Sequence, residues 1–136
     1  MIEKVHDHIV GELRQNARTD TVFVLTAILL NLVLLATNST LAATSKDSSV
    51  ATAVMAILIV LGIVINAISV VGLVNGKMAR HRLLEGLIRM YKDKGVDSYY
   101  DVGLLAAYDT RYTLFIVAII SLGSISVLIP ILTRVF

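Results

Sequence analysis

Apolar residues fall into three long runs, and the polar residues between them gather into stretches of very unequal length. The longest run, Val50 to Gly76, contains no Asp, Glu, Lys, Arg or His. About 20 residues at 1.5 Å each cross the hydrocarbon layer of a bilayer, so this stretch predicts a membrane-spanning helix. A second run covers residues 21–43 and a third 112–134. The expected fold is an all-α integral membrane protein: three transmembrane helices in one membrane domain, with amphipathic helices on one side.

The polar stretches fill in that outline. In the N-terminal segment, residues 1–20, Ile2, Val5, Ile9, Val10 and Leu13 recur at helical spacing. This predicts a short amphipathic helix lying on the membrane or packing on the protein's own polar part. Thr19-Asp20 reads as the start of the first span, with Asp20 as cap. Thr44 to Ser49 is a short turn, so the first two spans form an antiparallel hairpin. The segment 77–111 is the only sizeable polar stretch. Leu83, Leu84, Leu87, Ile88 and Tyr91 mark an amphipathic helix in it, Gly95 a stop, and Ser98-Tyr-Tyr-Asp101 a capping box opening the next helix. That helix, with Leu104, Leu105 and Tyr108 on one side, runs on into the third span. Pro130 predicts a kink or a frayed end there, because it removes the backbone donor to the Ser126 carbonyl.

Charge sets an expected orientation. Of the twelve Lys and Arg residues, Lys4, Arg14 and Arg18 precede the first span and seven lie in 77–111, leaving Lys46 in the hairpin turn and Arg134 in the tail. The positive-inside rule then predicts a cytoplasmic N terminus and an external C terminus. This asymmetry, with an uncleaved N-terminal span, suits a prokaryotic plasma membrane. The chain is 57% hydrophobic and only 16% charged, with a mean hydropathy of +0.83, which leaves no polar fold to carry a nucleic-acid-binding stripe. It has no cysteine, so thiolate chemistry and disulfides are excluded.

Candidate chemistry is sparse. No ionisable side chain falls in the core of any expected span, which disfavours proton relays and ion-coupled transport. His6-Asp7-His8 is no metal motif, because residues two apart on a helix point about 200° apart. No catalytic residue set, metal or cofactor is expected. What remains is a set of small and polar residues inside the spans. Asn31 and Asn38 share one face of the first span with Ala27 and Ala42. Gly62, Asn66, Ser69 and Gly76 share a face of the second, with Gly72 at its margin completing a GxxxG pattern. Ala118, Ser121 and Ser124 share a face of the third. Small residues allow close helix approach and Asn bonds across helix pairs, so these read as helix-packing or pore-lining positions. Lys77, Arg80, His81 and Arg82, just beyond the second span, read as contacts to anionic lipid headgroups. Asn38-Ser39-Thr40 matches a glycosylation sequon but sits too close to the bilayer to serve as one.

The expected function is non-catalytic: self-association, or a scaffold or accessory subunit of a membrane complex, with the bilayer and a like chain or membrane protein as partners. The alternative is a homo-oligomeric channel or pore lined by the Gly62/Asn66/Ser69 face.

Overall fold

A computed structural model describes the chain apart from Val102, Phe136 and the side chain of Leu104. The described residues form three long helices and one short turn: α1 (Ile2–Thr44), α2 (Ser49–Asp93), a single 3-10 turn (Asp97–Tyr99) and α3 (Gly103–Val135). All three long helices are long and apolar enough to cross a membrane, and the chain is a membrane protein on that ground. Each packs against the other two.

The helices are longer than the spans. At 1.5 Å per residue α1 and α2 reach about 65 Å, roughly twice the hydrocarbon thickness. Residues 2–20 are therefore no separate helix. Thr19-Asp20 does not start a helix and Asp20 is no cap, because α1 passes through both residues unbroken. Residues 77–93 likewise continue α2. Absence of Pro and of internal helix stops explains the continuity: neither stretch contains a residue that removes a backbone donor. Ile9, Val10 and Leu13 are half-buried on the extension of α1, and Leu84 and Leu87 are buried on that of α2.

Burial follows one rule in all three helices. On α1 the buried positions are Asp20, Val24, Ala27, Asn31, Leu34, Asn38 and Ala42, stepping by three and four. On α3 they include Tyr112, Ile119, Gly123, Ser126 and Pro130. Alternating steps of three and four keep one narrow seam toward the neighbours, as in left-handed bundles. The core proper is small: Val24, Ala27, Leu73, Tyr112 and Ile119, with Phe23, Ile28, Val70 and Ile116 packed on it.

The ends are closed by specific groups. Ser48 caps α2, its Oγ accepting the Ala51 N–H at 3.2 Å. Gly95, at φ 68°, reverses the chain after α2, a conformation that favours glycine. The expected capping box is replaced by another arrangement. Ser98 is inside the 3-10 turn, and Asp101 Oδ1 accepts the Gly103 N–H at 2.8 Å. A carboxylate can satisfy that free donor without a Ser partner, which is why the sequence pattern mislocates the cap. The Leu104 side chain of the expected Leu104–Leu105–Tyr108 face lies outside the described residues. Pro130 does not fray α3, which continues to Val135.

Candidate functional site

Polar side chains are brought together at three levels of the bundle. The middle level is an interlock of two amides. Asn31 Nδ2 donates to Asn66 Oδ1 and Asn66 Nδ2 donates to Asn31 Oδ1, both at 2.8 Å. Each amide nitrogen also donates to a carbonyl one turn back on its own helix, Ala27 at 2.8 Å and Gly62 at 2.7 Å. Four N–H donors are thus satisfied with no water. That matters in hydrocarbon, where an unmet polar group is costly. Ser126 Oγ from α3 lies 2.8 Å from the Gly123 carbonyl and 3.2 Å from Asn31 Oδ1. Gly123 is small for a reason: a Cβ there would stand 3.0 Å from three atoms of the Asn66 amide.

The second level is at the hairpin end. Arg134 Nη1 donates to the Ser45 carbonyl at 2.7 Å, and Nη2 reaches the Ser48 carbonyl at 3.3 Å and the Thr52 hydroxyl. The guanidinium thereby bonds carbonyls on both sides of the turn, at the end of α1 and at the cap of α2, and ties α3 to it. Asn38 is 1% exposed and its Oδ1 has no hydrogen-bond partner among the described residues.

The third level lies at the far end of the apolar runs. Asp20 is buried, and its carboxylate accepts a hydrogen bond from the Tyr112 hydroxyl. Gly76 leaves room for it, since a Cβ there would collide with the Asp20 carboxylate. Asn16 Nδ2 donates to the Gly76 carbonyl at 3.0 Å, so the second glycine of the GxxxG pattern seats two polar residues of α1. The first, Gly72, faces the Phe23 ring. Arg80 places its guanidinium 4.0 Å from the centre of the Tyr108 ring, a cation–π distance. Arg111 stands 5.9 Å from the same ring. Arg80 Nε is buried without a hydrogen-bond partner among the described residues. Further out, His6 Nε2 meets the Tyr91 hydroxyl at 3.1 Å, and Tyr91 stacks at a tilt near Tyr100. Burial, with Tyr108 and Tyr91 nearby, pushes the Tyr100 phenol above its ordinary range.

The sequence-derived positions divide cleanly. Asn31, Gly62, Asn66, Ser69, Gly72 and Gly76 lie on faces turned toward neighbouring helices of the same chain, with Gly62 opposite Leu34. Ser69 Oγ bonds its own helix at the Ile65 carbonyl. Ser121 and Ser124 stand apart from them and are exposed, as is Ala118. Ser124 Oγ donates to the Ile120 carbonyl at 2.8 Å, so its hydroxyl is satisfied on a lipid-facing surface. Gly123 and Ser126 hold the inward positions instead. Lys77 pairs with Asp109 at 3.8 Å, His81 with Glu85 at 3.3 Å, and Arg82 is exposed.

Sequence reasoning gave no site role to Tyr112, Ser126, Arg111 or Arg134, and read Asp20 only as a helix cap. Asp20 carried a signal, because a carboxylate at the edge of a 23-residue apolar run requires a partner if it is buried. No group of three or more metal-ligating side chains occurs among the described residues. The polar levels can hold helices in register and, at Arg80 and Arg111, attract an anion. No protein-family model matches the chain, and no curated protein or solved structure matches it.

Proposed function

We propose that the chain is a non-catalytic multi-pass membrane protein that works by assembly, as a scaffold or accessory subunit of a membrane complex. The observation that carries this reading is where the intramembrane polar groups point. Asn31, Asn66 and Ser126 bond one another inside a single chain. The outside of the same region is large apolar side chains such as Leu29, Val33, Ile57, Ile63, Val117 and Leu128. Three helices enclose little volume and leave most of this surface for lipid or for a neighbouring transmembrane helix. A pore lined by Gly62, Asn66 and Ser69 would require these residues to leave their present partners, which weighs against that alternative.

The charge asymmetry supports an N-in, C-out orientation in a prokaryotic plasma membrane. Ten of the twelve Lys and Arg residues lie in 1–20 and 77–111. The extensions of α1 and α2 then form a cytoplasmic stalk of about 25 Å, at 1.5 Å per residue, instead of helices lying flat.

The test is native mass spectrometry of the full chain in nanodiscs, followed by planar-bilayer recording. The expected result is a monomer, a small assembly or a complex with a second membrane protein, without unitary conductance. A closed ring whose conductance changes in Asn66→Leu would overturn the proposal. In sealed cells making the chain, a single cysteine in place of Lys46 should label with a membrane-impermeant maleimide from outside and one in place of Arg14 only after the membrane is opened, since the chain has no other thiol. Labelling from one face refutes the topology.

A further inference from the structure

A pocket of about 210 Å³ opens at the third polar level, where the apolar runs end. All three helices build it: Asp20 and Thr21 from α1, Arg80 from α2, and Arg111, Tyr112 and Phe115 from α3. Its space is several times the roughly 30 Å³ share of one water molecule in the liquid, so it has room for a polyatomic group. Both guanidiniums flank the Tyr108 ring and so lie no more than about 10 Å apart.

We propose that this pocket binds the phosphate of an anionic amphiphile, a phosphoester presented at the membrane surface. Three observations and one general property of guanidinium groups converge. Two cations face one carboxylate in the pocket, and that carboxylate is already held by the Tyr112 hydroxyl. The buried Nε of Arg80 lacks a partner among the described residues, and a charged donor left unmet is costly. Guanidinium groups match phosphate oxygens through paired N–H donors. The site also lies at the depth where headgroups lie. Thr21 begins the first apolar run, and Phe115 stands one turn inside the third, offering an apolar wall to the adjoining acyl chain. The neighbouring polar side chains are otherwise placed. Lys77 has Asp109, His81 has Glu85, and Arg82 faces outward. The specific pair is thus Arg80 with Arg111, rather than the run that follows the second span.

The experiment titrates the delipidated full chain in neutral detergent with phosphatidylglycerol, phosphatidylcholine and free glycerol phosphate, and counts bound molecules by native mass spectrometry. Phosphatidylglycerol should bind in preference to phosphatidylcholine. Losing charge-assisted bonds in R80Q/R111Q should weaken binding about tenfold or more. R89Q/K92Q, which removes the same charge from exposed positions, should bind as wild type, and R80K/R111K, which keeps the charge without the paired donors, should fall between wild type and R80Q/R111Q. Binding of phosphatidylglycerol alone assigns the ligand to lipid, whereas binding of glycerol phosphate without lipid assigns it to a soluble phosphoester; both support the site. Equal binding of phosphatidylcholine, no binding of any probe, or an equal loss in R89Q/K92Q would overturn it. Helical circular dichroism of each variant, with R111Q alone as the milder change, separates lost binding from lost folding.

Discussion

Two asparagines on the same face of α1 have opposite circumstances. Asn31 has both amide donors and its oxygen satisfied through Ala27, Asn66 and Ser126. Asn38, seven residues on, is as deeply buried but leaves Oδ1 without a partner. Helical spacing alone places the two on one face, two turns apart, and assigns them the same role. What distinguishes them is the residue across the gap, which spacing on one helix does not reveal. Removing a buried acceptor with no partner and substituting an apolar group of similar shape can stabilise a fold. Asn38→Leu is therefore expected to leave stability unchanged or raise it by up to about 1–2 kcal/mol in detergent unfolding. A loss of more than that would mean the Asn38 oxygen has a structural partner.

At the scale of the helix, the glycines divide by what each faces. Gly11 and Gly86 have nothing within 4 Å of an added Cβ, so alanine there should stabilise by up to about 1 kcal/mol through helix propensity. Gly76 and Gly123 face the Asp20 carboxylate and the Asn66 amide, and alanine at either should destabilise the bundle. Gly62 faces only the flexible end of Leu34, so its substitution should fall between the two classes. Ranking the thermal midpoints of these five variants in one detergent checks the order. Helix type and number were legible from apolar run length, because nothing else in so short a chain is charge-free for 27 residues. Helix ends were not. The charge change near Thr19-Asp20 and after Gly76 marks where the solvent changes, and a helix can cross that boundary without interruption. The inward face of α3 was also hidden: Ser121 and Ser124 form the more obvious small-residue stripe, but outward Ser124 and inward Ser126 both bond their own helix, so residue type does not say which face turns inward.

For the whole molecule, one up–down–up bundle holds polar contacts within itself at three levels and presents an apolar band outward. Arg134 closes the hairpin end, the amide interlock holds the middle, and Asp20 with Tyr112 holds the other end. Such a bundle has its helix register set by side chains of its own chain, leaving the outer surface free for assembly. The central claim is that the Asn31–Asn66 interlock forms within one chain. A double-mutant cycle of Asn31→Leu and Asn66→Leu, read by reversible unfolding in detergent at two protein-to-detergent ratios, tests it. The account predicts a favourable coupling of about 0.6–2 kcal/mol, the same at both ratios. No coupling, or a coupling that disappears on dilution, would mean that the asparagines meet only between chains or not at all.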